Sequence, residues 1–301
     1  QAADGQVNSP YLVSKYANWA TGCICATGIT GIRLKLAQGG EYDMTEYGTA
    51  YQGLSGRYYS NACVTSKGSN ERSYITPSIA CIDGNGASVT VNNNFKEYAD
   101  DDYKVAGVGA LFNNIAFTSA DYVKSAIAAN DGAQARNLTF KNCDLSMSYI
   151  NAEGELQVKQ DTDTLQLGVG CLAGVTSNLN SQEAQGVYKN ITIDDCTVTG
   201  GANAGGLIGS VGYMGLASNK ESRMVTSVLN YSAAAQAPVK LVDCLYKNSE
   251  ISAEANAGGF VGKLLGTTFS VDVNAENNND AKRASGDSIN LMGVNSTVRG
   301  T

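Results

Sequence analysis

The sequence has no histidine, only 3 prolines in 301 residues, and few charged side chains. Histidine is the commonest general base near neutral pH and the commonest metal ligand. Its absence excludes Ser-His-Asp triads, Cys-His dyads and histidine-zinc sites. Charged residues make up 16% of the chain, against a usual quarter, and the net charge is -7. Because phosphate binding requires Lys and Arg, an acidic chain without a basic run is not expected to bind nucleic acid.

Long hydrophobic runs are also missing. No apolar run reaches 18 residues, so we expect no membrane span in this segment. The chain begins Gln-Ala-Ala-Asp, without Met or an apolar signal core, and we expect it to be a mature or excised piece of a longer protein. Hydrophobic residues still make up 43% of the chain, which is enough for one extended domain with a core.

The cysteines have no CxxC spacing and form no short, dense framework. A chain of this length can build a core without disulfides, so we expect most of them to be buried free thiols. Cys23 and Cys25 would share one strand face, but a metal there would need two further ligands. We therefore expect neither a metal nor another cofactor. The eight residues are Cys23, Cys25, Cys63, Cys81, Cys143, Cys171, Cys196 and Cys244.

An internal repeat with an offset of 53 residues dominates the pattern. The segment 137–146, NLTFKNCDLS, aligns with 190–199, NITIDDCTVT, and then with 243–252, DCLYKNSEIS. In this alignment Leu138, Ile191 and Cys244 are equivalent, and the stretch 288–298 is a looser further copy. The repeat predicts inward-facing ladders of equivalent residues, about 4.8 Å apart if the copies are neighbours, or about 10 Å if they are two turns apart.

Each copy contains a break in its alternating pattern and is followed by a glycine-rich segment. The pairs 141–142, 194–195 and 247–248 interrupt the alternation with a polar corner, where Asn and Asp tolerate left-handed backbone. The motif NAGGLIG at 203–209 matches NAGGFVG at 256–262, and such glycines suit close backbone approach. The pattern predicts an all-β fold, a right-handed parallel β-helix (β-solenoid) with an irregular N-terminal cap and loop insertions. A β-sandwich is the alternative.

The segments 193–209, IDDCTVTGGANAGGLIG, and 249–262, SEISAEANAGGFVG, resemble the GLUG-type repeat of large bacterial surface and secreted proteins. The stretch 82–91, IDGNGASVTV, is similar to the strand that often precedes such repeats. The resemblance covers about residues 80–300. It implies a right-handed β-helix and a bacterial cell-surface or secreted setting, and it implies no catalytic residues.

Two regions follow from this organisation. Residues 1–80 are expected to form an N-terminal cap and the first turns, and residues 81–301 one continuous β-solenoid. The best helix candidate is 119–129, placed in a loop insertion. An uncovered end would expose a hydrophobic cross-section and unpaired strand edges. We therefore expect the C-terminal end to be covered by a further part of the parent chain or by another subunit, which allows self-association there.

Candidate chemistry is sparse. Acidic clusters at 100–102, 161–163 and 194–195 are read as two solvated loops and a structural corner, although the first could bind calcium or act on sugars. A group of tyrosines is the only candidate ligand-binding site, because exposed aromatic rings stack on sugars and anchor protein interfaces. No catalytic residue is assigned. The candidate residues are Tyr42, Tyr47, Tyr51, Tyr58 and Tyr59.

Three function classes remain open. The first is a non-catalytic extracellular or cell-surface module, such as an adhesin or stalk segment that binds a host or microbial glycan or protein. The second is a polysaccharide lyase or hydrolase built on a β-helix. The third is a subunit of an extracellular filament that polymerises through open solenoid ends.

Overall fold

The computed structural model describes residues 10–13, 32–43, 45, 65–68, 71–74, 78–98, 107–118, 127–157, 168–179, 186–216, 227–229, 239–264, 271–272, 288–289, 292–294 and 296–300. This part of the chain is all-β, and it includes a short helical stretch at 127–129, the only described portion of the helix expected at 119–129. The 28 strands are β1 (Pro10–Val13), β2 (Ile32–Leu36), β3 (Glu41–Asp43), β4 (Thr65–Gly68), β5 (Glu71–Tyr74), β6 (Ser78–Thr90), β7 (Asn92–Tyr98), β8 (Gly107–Gly109), β9 (Phe112–Thr118), β10 (Ala135–Lys141), β11 (Asp144–Ile150), β12 (Leu156–Gln157), β13 (Gly168–Gly170), β14 (Ala173–Leu179), β15 (Gly186–Asp194), β16 (Thr197–Gly200), β17 (Asn203–Gly205), β18 (Ile208–Leu216), β19 (Ser227–Leu229), β20 (Val239–Val242), β21 (Leu245–Lys247), β22 (Glu250–Ala253), β23 (Asn256–Gly258), β24 (Val261–Leu264), β25 (Val271–Asp272), β26 (Ser288–Ile289), β27 (Met292–Val294) and β28 (Thr297–Gly300).

Most of these strands stack in four parallel ladders. Ladder 1 runs β6-β10-β15 and continues through β20 and β21 to β26 and β27. Ladder 2 runs β7-β11-β16-β22-β28, ladder 3 runs β8-β13-β17-β23, and ladder 4 runs β9-β14-β18-β24. Each pass of the chain contributes strands to the ladders in the same order. We call these passes rung 1 (78–118), rung 2 (135–179), rung 3 (186–216), rung 4 (239–264) and rung 5 (288–300).

The register between rungs confirms the 53-residue repeat. Leu138 pairs with Ile191, and Phe140 pairs with Ile193 in the neighbouring strand. Ile193 then pairs with Tyr246 on its other side. Equivalent residues therefore lie in adjacent strands, which decides between the two spacings left open by the sequence. The looser copy at 288–298 also stacks, because Val298 pairs with Ile251.

The polar corners adopt the conformation expected of them. Asn142, Asp195 and Asn248, between the strands of ladders 1 and 2, have φ of 51°, 54° and 52°. This left-handed region costs a residue with a β-carbon less when its side chain is Asn or Asp. The corner lets each pass change direction while Leu145, Val198 and other side chains beyond it remain buried.

A second column of left-handed residues was not expected from the sequence, which assigned these positions to regular strand. Asn137, Asn190 and Asp243 have φ of 54°, 50° and 54° within ladder 1. The side chains of the two asparagines are hydrogen-bonded, because Asn190 Nδ2 donates to Asn137 Oδ1 at 2.9 Å. The residues before and after this kink, such as Tyr188 and Ile191, both remain buried.

The core lies inside the four ladders. Its largest fully buried side chains include Tyr188 and Phe140 from ladder 1 and Leu111 from the glycine-rich turn of rung 1. On the N-terminal side, β2 and β3 pair in parallel with β6, so residues 32–43 extend ladder 1. Strand β6 begins at Ser78 and so crosses the expected boundary between the N-terminal cap (1–80) and the β-solenoid (81–301). The division of the chain into these two regions stays a prediction.

Candidate functional site

Three buried cysteines meet inside the ladders, and we call them the thiol cluster: Cys143, Cys171 and Cys196. Their sulfur atoms all lie within 4.8 Å of one another. The residues are 1%, 0% and 1% exposed, and all three are free thiols. The expectation that Cys143 and Cys196 are buried and reduced is confirmed.

Two members of the thiol cluster come from one column at the start of ladder 2. Thr197 N–H donates to Cys143 O, and Asp144 N–H donates to Val91 O, so Val91, Cys143 and Cys196 follow one another from rung to rung. In rung 4 the same position is Ser249, because Glu250 N–H donates to Cys196 O. The column therefore contains valine, two cysteines and serine.

The third member, Cys171, comes from the glycine-rich turn between ladders 3 and 4. Ala110 N–H donates to Cys171 O, and Cys171 N–H donates to Gly206 O, so Ala110, Cys171 and Gly206 are equivalent in rungs 1 to 3. Among the described residues of this column, only Cys171 carries a sulfur atom, and it meets those of Cys143 and Cys196. The sequence did not predict this meeting, because Cys171 follows Cys143 by 28 residues, across a loop whose length is not repeated in the other copies.

Each thiol on the ladder 2 side also has backbone partners. Cys196 Sγ lies 3.4 Å from Asp194 O and 3.6 Å from Phe140 O. Cys143 Sγ lies 3.5 Å from Val89 O and 3.8 Å from Lys141 O. Cys244 repeats this geometry outside the thiol cluster, with 3.5 Å to Val242 O and 3.7 Å to Tyr188 O.

Electrostatics differ among the three thiols. Hydrogen bonds from Cys143 and Cys171 stabilise a thiolate at Cys196 and lower its pKa. Burial raises the pKa of Cys171 well above its ordinary value. For Cys143, the hydrogen bond with Cys171 lowers the pKa, but the interaction with Cys196 and burial outweigh it and raise the pKa. The cluster thus favours one thiolate, carried by Cys196, over two or three.

The predicted tyrosine site is only partly covered by the described residues. Tyr42 is 6% exposed, and its hydroxyl accepts a hydrogen bond from Ala37 N–H at 2.9 Å, so this ring packs in the core. Burial raises the pKa of Tyr42. Ligand binding at this cluster stays a prediction. The other four residues lie outside the described part of the chain: Tyr47, Tyr51, Tyr58 and Tyr59.

The acidic candidates have the same mixed outcome. Asp195 occupies a left-handed corner, and Asp194 Oδ2 lies 3.1 Å from Lys247 Nζ, which supports a structural role for this pair. The clusters at 100–102 and 161–163, and the cysteines Cys23, Cys25 and Cys63, lie outside the described residues. Among the described residues, no helix is both long and apolar enough to cross a membrane.

Comparison with known proteins gives little further information. No protein-family model matches the sequence, and no curated protein matches it. Among solved structures, the chain is similar to "a putative immunoglobulin A1 protease from Bacteroides ovatus", with 13% sequence identity and a TM-score of 0.34. The match covers 98% of this chain and 80% of that one. A similarity at this level carries no argument about function.

Proposed function

We propose that this chain is a non-catalytic extracellular or cell-surface module of a bacterial protein, built as a right-handed parallel β-helix. The observation that carries the proposal is the direct pairing of residues 53 apart, such as Leu138 with Ile191 and Val198 with Ile251. A chain that returns to the same ladders on successive passes builds a long, regular scaffold. Right-handedness follows from the strong preference of parallel strand connections for that hand.

The resemblance to GLUG-type repeats is supported by the close packing of the glycine-rich motif between neighbouring rungs. Asn203-Ala-Gly205 pairs in register with Asn256-Ala-Gly258, so the two copies of the motif stack. A β-carbon on Gly205 would lie 2.6 Å from the backbone nitrogen of Gly262 in the next rung. The motif therefore serves close packing between passes.

Two of the described carboxylates join neighbouring rungs through ion pairs. Asp83 forms an ion pair with Arg136 at 2.9 Å, joining rungs 1 and 2. Asp194 pairs with Lys247 and joins rungs 3 and 4. Carboxylates engaged in this way are poor candidates for the paired acids of a glycoside hydrolase. They favour a module that presents a surface over one that cleaves a polymer.

A binding experiment with a built-in activity assay tests the proposal. The chain is incubated with a panel of uronic and neutral polysaccharides, and with host surface proteins, and both retention and new reducing or unsaturated ends are measured. We expect retention of one glycan or protein class without cleavage. Loss of retention when Tyr58 and Tyr59 are changed to Ala, but not in Tyr42→Phe, would place binding at the tyrosines. Turnover of any polymer would replace the proposal with the lyase or hydrolase alternative.

End-to-end association is a second candidate, favoured by the exposure of the last described strand. All four residues of β28 are exposed, including Val298 at 38%. Within the described part of the chain, β28 pairs with β22 on one side only. An edge of this kind can accept another strand. Sedimentation velocity over a wide concentration range tests it: growing oligomers support a filament subunit, and a monomer at high concentration contradicts it.

A further inference from the structure

We propose that the thiol cluster binds one Cu(I) ion in a three-coordinate site inside the ladders. The geometry points to a metal because three sulfur atoms converge within 4.8 Å, two from the corner between ladders 1 and 2 and one from the turn between ladders 3 and 4. A trigonal ion with metal–sulfur bonds of about 2.3 Å requires sulfur atoms about 4 Å apart. The three side chains reach that spacing with shifts below about 1 Å, which a change of side-chain torsion supplies.

The number and type of ligands select the ion. Among the described residues, the group contains three cysteines and no fourth Cys, Asp or Glu. Structural zinc sites are four-coordinate and usually tetrahedral. Soft thiolate ligands favour Cu(I), which accepts lower coordination numbers than zinc. A dry three-sulfur site therefore fits Cu(I) better than Zn²⁺.

Binding replaces the thiol protons with copper–sulfur bonds. The thiolate, rather than the thiol, is the form of cysteine that binds a metal. Each of Cys143, Cys171 and Cys196 therefore gives up its proton to solvent as its sulfur binds copper, and no oxidation state changes. The bound cation offsets part of the negative charge that the thiolates place in the core.

The equivalent positions in other rungs show that the cluster is not required for packing. The cysteine column begins with Val91 in rung 1 and continues with Ser249 in rung 4, and the Cys171 column contains Ala110 and Gly206. The scaffold thus accepts four other residues, of different volume and polarity, at these places. Among the described residues, only the adjacent rungs 2 and 3 bring three sulfur atoms together.

Burial also predicts how the ion enters. Because the three residues are at most 1% exposed, copper must be captured as the rungs close rather than through an open channel. The bound ion should then exchange only when the core opens, and it should stabilise the folded state by mass action. Slow exchange distinguishes the buried site from copper held at an exposed thiol.

The test uses variants borrowed from the other rungs. Reduced, unfolded full-length chain is refolded without oxygen in the presence of Cu(I), desalted against a Cu(I) chelator, and analysed for copper per chain. The variants Cys143→Val, Cys171→Ala and Cys196→Ser each introduce the residue found in a neighbouring rung. Cys244→Ser is the matched control, because it removes a buried thiol of the same geometry outside the cluster.

We expect the wild type and the Cys244→Ser control to retain one copper ion more than each of the three cluster variants. Copper held elsewhere, for example at Cys23 and Cys25, would be common to all chains and cancel. Equal copper in all five proteins would overturn the proposal. Circular dichroism and a thermal melt establish that each variant is folded.

A spectroscopic measurement keeps the proposal falsifiable if a variant fails to fold. In a chain with Cys23, Cys25 and Cys63 changed to Ser, X-ray absorption at the copper edge should show Cu(I) with three sulfur neighbours. Copper bound to oxygen or nitrogen, or no copper retained after desalting, would overturn the assignment. Release should follow global unfolding, and release within seconds from the folded chain would also contradict it.

Discussion

Replacement of Asp195 tests the physical basis of the corner between ladders 1 and 2. Asp195 has φ of 54°, and its side chain is exposed. An ordinary residue with a β-carbon pays about 1–2 kcal/mol to adopt this conformation, whereas Asn and Asp adopt it more readily. Since the side chain is exposed, Asp195→Ala removes little packing. We expect it to lower the free energy of unfolding by about 1–2 kcal/mol.

Two further substitutions separate backbone conformation from side-chain loss. Asp195→Asn should be close to neutral, because the amide tolerates the same backbone region. Asp195→Gly removes the steric cost of the left-handed backbone but adds conformational entropy to the unfolded chain. We expect it to lower the free energy of unfolding by less than about 1 kcal/mol. Thr197→Ala, an exposed change two residues away in ordinary strand conformation, serves as the control.

Chemical denaturation followed by circular dichroism measures these differences as midpoint shifts at constant slope. The order of stability should be aspartate and asparagine first, glycine next and alanine last. If alanine were as stable as aspartate, or if glycine were less stable than alanine, the left-handed backbone would not govern the choice of residue at the corner.

Three further predictions concern the core, the ion pair and the thiols. Ile193→Ala, in a fully buried ladder position, should lower the free energy of unfolding by about 2–5 kcal/mol in the same denaturation assay. Burial raises the pKa of Asp83, but hydrogen bonds, including one from Arg136, outweigh burial and lower it. The stabilisation that the Asp83 carboxylate contributes is therefore present above its unfolded-state pKa, and it is lost as the pH falls through its folded-state pKa. The stability gap between wild type and Asp83→Asn, measured from pH 7 to pH 2, should therefore close at low pH, and a gap that widens would contradict this. Cys196→Ser should be mild, since Ser249 holds the equivalent place, whereas Cys196→Asp should cost several kcal/mol by burying an unpaired charge, and equal melting temperatures for the two would refute that contrast.

The parts of the fold that could be predicted from sequence are those with a fixed spacing. The offset of 53 places Leu138 beside Ile191 because equivalent strands pair in register. The break at 194–195 predicts the corner because Asp tolerates left-handed backbone. The kink at Asn190 leaves little trace in the pattern, because the apolar positions on either side of it both stay buried.

The thiol cluster could not be predicted because it depends on contacts across the interior. Equivalence along the chain identifies Cys143 and Cys196 as neighbours. It does not show which residue of the glycine-rich turn faces them, because the connection from Cys143 to that turn has no counterpart of equal length. The signal was nevertheless present: Cys171 is the one large, polarisable side chain in a column that otherwise contains Ala110 and Gly206.

Distances between spin labels along ladder 2 test the stacking of the rungs most directly. Asp144, Thr197, Glu250 and Thr297 are exposed and lie in successive strands of this ladder. With labels introduced as unnatural amino acids, pulsed electron resonance should give about 10 Å from Asp144 to Glu250 and about 14 Å from Asp144 to Thr297, an increase of about 4.8 Å for each successive strand. Distances that do not increase in this way, or that fit antiparallel neighbours as in a β-sandwich, would contradict the account.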